Sequence, residues 1–162
     1  MDDLKNKVAI VTGGAGGIGY SVCEALGGAG CAVIIADISE DNGRVAEHNL
    51  RNAGYVCEYL QVDVAQENSV RAMVEGVQRR HDMIDILVNC FGVPAKVMPT
   101  IQVSSDEWIR ALTIDLFGVF RCCREARSVM AKQGGGRIIN MASLNAVRPP
   151  TLTWLITCQR PV

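Results

Sequence analysis

Five glycines in eight residues, Thr12-Gly13-Gly14-Ala15-Gly16-Gly17-Ile18-Gly19, follow directly on the apolar run Val8-Ala9-Ile10-Val11 and open a stretch with a helical pattern. Few sequence features narrow a fold so far. A buried strand that turns at once into a helix leaves free backbone N–H groups at the helix's positive end. Glycines there allow a tight turn and let the backbone approach a pyrophosphate closely. The context therefore points to a phosphate-cradling turn at the start of an α/β unit.

The rest of the chain extends that unit. Short β-branched runs at Val8 to Val11, Ala32 to Ala36, Val56 to Val62, Ile84 to Val88 and Arg137 to Met141 carry few charges, as strands buried on both faces should. Helical patterns fill the intervals: Gly17 to about Gly28, then from a Ser39 cap to near Gly54, then about Asn68 to Arg80. Ser104-Ser105-Asp106-Glu107 reads as a capping box, and the apolar positions of the fourth helix continue to Met130, before Gly134-Gly135-Gly136 ends it. Strand and helix in alternation predict an α/β fold, a doubly wound parallel sheet of Rossmann type that is incomplete after its fifth strand. Residues 1–153 are expected to form one partial dinucleotide-binding domain, with 154–162 an aberrant tail. The segment from Gly92 to Val103, with Pro94 and Pro99, reads as a loop at the carboxyl edge of the fourth strand, where such sheets bind ligands.

At 162 residues, 49% hydrophobic and with a net charge of -1, the chain suits a single globular domain and offers no electrostatic footprint for nucleic acid or an anionic membrane. Its polar start and the lack of a long apolar run argue against a secretory signal or a membrane span, so a cytoplasmic location is expected. The seven cysteines are odd in number, scattered through predicted strands and helices, and without a C-x-x-C pair. They read as buried thiols rather than as a disulfide framework or zinc site, and no metal is expected.

Asp37 closes the second apolar run, about 18 positions after Gly19, near the ~20 expected of a carboxylate that accepts hydrogen bonds from the adenosine ribose. A 2′-phosphate would be repelled there. With no Arg or Lys in the glycine turn and Ile38 following Asp37, NAD is favoured over NADP. The plainer alternative is that Asp37 only caps the helix region at Ser39.

Taken together, these residues resemble the short-chain dehydrogenase/reductase family. Thr12-Gly13-x-x-x-Gly17-Ile18-Gly19 is similar to its glycine turn, and Asp63-Val64 resembles the pair that meets the adenine amine. Leu87-Val88-Asn89-Cys90-Phe91-Gly92 stands where the family carries Asn-Asn-Ala-Gly, and Gly136-Arg137-Ile138-Ile139-Asn140-Met141-Ala142-Ser143 looks like its fifth strand with the catalytic serine. The resemblance runs from residue 4 to about 153. It implies hydride transfer between nicotinamide and an alcohol or carbonyl compound, and usually a homo-oligomer. The cofactor contacts it implies are Gly13, Ala15, Gly17, Ile18, Gly19, Asp37, Asp63, Val64, Asn89 and Gly92, with Ser143 orienting the carbonyl.

Three departures stand out. Phe91 replaces a small residue where backbone and cofactor lie close. Asp115 occupies the position of an asparagine that the family associates with a proton-relay water; an ionised carboxylate only accepts, so Asp115 is either an altered catalytic group or simply a polar helix residue. Most consequential, the family's catalytic tyrosine and the lysine four residues after it have no counterpart: their slots hold Ile156 and Arg160, with Pro161 next. Codons compatible with Trp154 to Pro161, read from the last base of the tryptophan codon, permit Ala-Tyr-x-x-Ser-Lys-Ala-Gly. A one-nucleotide frame shift would therefore account for the tail. The expectation is an oxidoreductase by ancestry whose present chain is inactive, with oligomerisation weakened. The alternative is a non-catalytic dinucleotide-binding or interaction module.

Overall fold

The computed structural model describes residues 4–93 and 100–143. Five strands, β1 (Val8–Thr12), β2 (Ala32–Asp37), β3 (Cys57–Gln61), β4 (Ile86–Asn89) and β5 (Arg137–Asn140), form one sheet in the order β3-β2-β1-β4-β5. Every pairing is parallel, with Val8 beside Ala32, Ala9 beside Ile86, Val33 beside Cys57 and Ile86 beside Arg137. The connections are α1 (Gly17–Gly28), α2 (Glu40–Asn52), α3 (Glu67–His81), then α4 (Ser105–Leu112) and α5 (Val119–Lys132).

Strand alternation divides the core between the two faces of the sheet. Ile10, Ile34 and Leu87 pack with Val70, Val74 and Val77 of α3 and with Ala126 and Val129 of α5. Ala9, Val11, Val33 and Ile35 pack with Cys23 of α1 and with Ala46 and Leu50 of α2. All five residues of β1 are buried because helices cover it from both sides. The doubly wound parallel sheet expected from the sequence is therefore present, and no disulfide links the described cysteines.

Local chemistry moves the element boundaries. Asp85 leads into β4: its amide donates to the Val8 carbonyl at 2.9 Å and its carbonyl accepts from the Arg137 amide at 2.8 Å, while its carboxylate accepts from the Val8 amide and pairs with the Lys7 ammonium, both at 2.9 Å. Ser39 caps α2 by accepting from the Asn42 amide at 3.4 Å. The capping box at α4 forms, with Ser104 Oγ accepting from the Glu107 amide and the Glu107 carboxylate accepting from the Ser104 amide, each at 3.2 Å.

The fourth helical stretch differs from its sequence pattern. It is not one α-helix to Met130; residues Thr113–Gly118 form a π segment between α4 and α5. Thr113 Oγ1 donates to the Ile109 carbonyl at 2.7 Å, a back-bond of the kind that bends helices, and Arg121 Nη1 takes the Thr113 carbonyl at 3.2 Å. At the far end, the Gln133 side chain bonds both the amide and the carbonyl of Ile84, pinning α5 to the chain entering β4.

Candidate functional site

A cleft of about 460 Å³ opens at the carboxyl ends of β1 and β4, where the strand order reverses. Its floor is the glycine turn. The Gly13 amide donates to the Ala36 carbonyl at 2.8 Å, and its φ of +71° lies in the left-handed region. A Cβ at Gly13 would stand 2.8 Å from the Phe91 amide nitrogen, so the turn and the loop after β4 approach as closely as only glycine permits. A Cβ on Gly19 would overlap the Gly13 carbonyl, which seats α1 directly on the turn. Gly16 and Gly17 face open space instead, Gly17 with a φ of +55°, and Ile18 beside them is exposed. Open volume at the start of a twelve-residue helix that carries no acidic residue in its first turn fits a diphosphate.

Asp37, at the end of β2, lines the cleft and is tied to the turn. Its Oδ2 accepts from the Ala15 amide and its Oδ1 from the Ser39 amide, both at 3.1 Å. The cleft-wall and helix-entry readings of this carboxylate thus describe one group. Each oxygen keeps acceptor capacity for a further donor. On the next turn, Asp63 Oδ1 accepts from the Ala65 amide at 2.9 Å, and Asp63 and Val64 both line the cleft.

Beyond β4, Cys90, Phe91 and Gly92 line the cleft, whereas Asn89 is buried behind them. The Asn89 amide accepts from Thr12 Oγ1 at 2.9 Å and donates to Asn140 Oδ1 at 2.8 Å, so it ties together the ends of β1, β4 and β5. Cys123 completes this polar cluster, 3.6 Å from both asparagines. Phe91 leaves the glycine turn clear: its ring points to the α5 side of the sheet and packs beside Val64 and Gly118.

Asp115 sits in the π segment, 5% exposed, and its Oδ1 accepts from the Val93 amide at 2.8 Å. It therefore anchors the loop that leaves the cleft. Ser143 is the last described residue, just past β5, and is part-exposed. Ile156, Arg160, and the stretch from Pro94 to Pro99 lie outside the described residues. Among the described residues, no group of His, Cys, Asp or Glu is arranged to hold a metal ion. Nor is any helix long and apolar enough to cross a membrane.

Asn42, Arg110 and Ile114 also line the cleft, and sequence reading passed over them. Arg110 and Ile114 stand one turn apart on one helical face, a spacing that could have flagged them once one wall was known. Arg110 is the one cationic side chain among the described lining residues. Burial pushes the Cys23 and Cys122 thiols up to about 12, which leaves them protonated and inert at neutral pH.

A parallel sheet of this order, with a glycine turn at its switch point and a carboxylate closing the second strand, defines the Rossmann-like class of α/β domains. Comparison narrows the class to a family. The family model for short chain dehydrogenases matches residues 7–154, and the chain belongs to that family. An uncharacterized oxidoreductase of Thermotoga maritima is 38% identical over 143 residues, which cover 88% of this chain and 56% of the relative. NAD+-bound xylitol dehydrogenase superposes with a TM-score of 0.93 at 30% identity, over 98% of this chain and 61% of that one. The actinorhodin polyketide ketoreductase with NADPH superposes with a TM-score of 0.91 at 28% identity, over 98% and 61%. The chain spans about half the length of the curated relatives it matches. Its structural neighbours thus include both NAD and NADP complexes.

Proposed function

We propose that this chain is the dinucleotide-binding part of an oxidoreductase acting between nicotinamide and an alcohol or carbonyl compound, and that it prefers NAD to NADP. The observation that carries the cofactor reading is Asp37, a carboxylate on the cleft wall held in place by the Ala15 and Ser39 amides. Such an acceptor suits two ribose hydroxyls and opposes a 2′-phosphate. Gly13, Ala15, Gly17, Ile18 and Gly19 would hold the diphosphate, Asp63 and Val64 the adenine, and Gly92 the nicotinamide end, with Asn89 supporting that end from behind. The family and the neighbouring xylitol dehydrogenase support a hydroxyl compound or its carbonyl form as substrate class.

Bound nicotinamide supplies the hydride acceptor or donor. The residues of this chain bind and orient: Ser143 would hold a carbonyl oxygen, and Asp115 fixes the loop through Val93. A proton-transferring tyrosine with its lysine is what the sequence lacks, since Ile156 and Arg160 stand in those slots. Ile156 has no transferable proton. We infer that these 162 residues bind NAD without turning substrate over. The exposed Ile109, Leu116, Phe117 and Phe120 along the fourth helical stretch suit contact with a second copy.

Titration calorimetry with NAD+ and NADP+, together with a spectrophotometric assay over a panel of secondary alcohols and ketones, tests both halves of the proposal. Tighter NADP+ binding would sink the cofactor preference. Robust turnover by the 162-residue chain would sink the inactivity.

A further inference from the structure

Three segments that are distant in sequence meet behind one wall of the cleft. Val64 comes from the turn after β3, Phe91 from the loop after β4, and Thr113, Ile114 and Gly118 from the π segment. Arg121, on α5, reaches back to this junction. Its Nη1 donates to the Val64 carbonyl and to the Thr113 carbonyl, each at 3.2 Å, and its guanidinium lies 5.9 Å from the centre of the Phe117 ring.

Both carbonyls belong to the cleft wall. Val64 lines the cleft itself, and Thr113 immediately precedes Ile114, which lines it too. The Phe91 ring stands at the same junction: a Cβ on Gly118 would lie 3.1 Å from Phe91 Cε2 and 3.1 Å from Val64 Cγ2. A side chain at Gly118 would therefore oblige the ring and Val64 to give by a few tenths of an ångström. Val64 and the Phe91 ring both lie against Gly118, and Arg121 ties the same two segments together through their carbonyls.

We propose that Arg121 is a positioning residue for the adenine end of the cleft: by holding the Val64 and Thr113 carbonyls on one guanidinium nitrogen, it sets the width of the slot between Val64 and Ile114. The proposal rests on the dinucleotide reading of the cleft given above. A planar base inserted between two aliphatic side chains gains contact only if their separation matches its thickness, because dispersion falls steeply once a gap opens. A guanidinium suits this task. It stays charged, and its Nη1 carries two N–H bonds fixed in the guanidinium plane, one for each carbonyl, whereas an ammonium on a flexible stem fixes no such pair of directions. Its bonds to neutral carbonyls are charge-assisted and thus stronger than ordinary amide pairs.

The test compares the full chain with Arg121→Met, which keeps an unbranched apolar stem, and Arg121→Lys, which keeps the charge. Each is titrated by NMR with NAD+, with AMP, which carries the adenine, and with nicotinamide mononucleotide, which lacks it. Arg121→Met should weaken NAD+ and AMP by about tenfold, because both carbonyls lose their shared donor and the slot loses part of its contact with the base. Arg121→Lys should weaken them by about threefold, because a freely rotating ammonium no longer holds the two carbonyls at a fixed separation. Nicotinamide mononucleotide should bind all three proteins equally. If the Met variant does not fold, the Lys variant alone decides. Unchanged AMP affinity, or an equal loss for the mononucleotide, overturns the clamp while leaving the site standing. Failure of the unsubstituted chain to bind any of the three ligands overturns the dinucleotide reading and the clamp with it.

Discussion

Replacing Asp37 by alanine acts on the fold and on ligand choice by separable amounts. On the fold side, the Ala15 and Ser39 amides lose acceptors at 3.1 Å. Both bonds are part-buried, and at a net value near 1 kcal/mol each the unfolding free energy should drop by about 1–2 kcal/mol. The corresponding fall in Tm is about 2–8 °C for a chain of this size. On the ligand side, NAD+ loses an ionised acceptor for its ribose hydroxyls, a loss of about 1.5–3 kcal/mol. NADP+ gains, because a unit charge facing a carboxylate about 5 Å away at an effective dielectric near 20 is repelled by roughly 3 kcal/mol. The two changes move the ratio of the affinities in the same direction, by roughly three to four orders of magnitude. Calorimetric titration of both dinucleotides into both proteins at physiological ionic strength measures that ratio, and thermal melts measure the stability change. A ratio that moves by less than about tenfold would refute the role assigned to Asp37, whatever the melts show.

Gly17→Val should fold with a penalty of about 1–2 kcal/mol from its φ of +55° and lose NAD binding, as its side chain enters the open space of the turn; undiminished affinity in a folded variant, read by calorimetry, removes the phosphate assignment. Asp115→Ala should leave the Val93 amide without its acceptor and lower stability by about 1–3 kcal/mol, whereas Asp115→Asn should cost less because its amide oxygen still accepts; denaturant titration distinguishes the two. Cys23 and Cys122, pushed up to about 12 by burial, stay neutral in the folded protein when the unfolded chain ionises. Their contribution is therefore whole below the ordinary thiol value near 9 and is lost as pH climbs toward 12, by about 4 kcal/mol per thiol at the upper end. Urea midpoints from about pH 8 to 11 should fall accordingly, with a shallower fall in Cys122→Ala.

What the sequence made legible was local. Val8 to Val11 and Ala32 to Ala36 read as buried strands because a strand covered on both faces needs unbroken apolar runs, and the Ser104 box carried its own geometry. The glycine turn and Asp37 came together because their separation along the chain is fixed by one strand and one helix. The π segment escaped notice: apolar spacing survives a change of pitch over Thr113–Gly118, and its causes are a threonine back-bond and an arginine from a later turn. Phe91 stood out as a large residue where backbone and cofactor lie close, yet its ring turns to the face opposite Cys23 and away from the glycines. Arg110 and Arg121 were two cations among many until the tertiary fold brought one to the cleft and the other to a pair of carbonyls.

The central place of β1 also bears on the order in which the chain can assemble. One neighbour, β2, follows after a single helix, whereas the contact from Thr12 to Asn89 on β4 spans 77 residues. Closing the longer loop costs about 1 kcal/mol more in chain entropy, and α2, β3 and α3 must be accommodated before it is repaid. Pairing of β1 with β2, and the glycine turn between them, is thus favoured to form first, with β4 and the Thr12–Asn89–Asn140 tie arriving late. Mutations in the β1–β2 hinge should therefore slow folding, and those around Asn89 should mainly hasten unfolding.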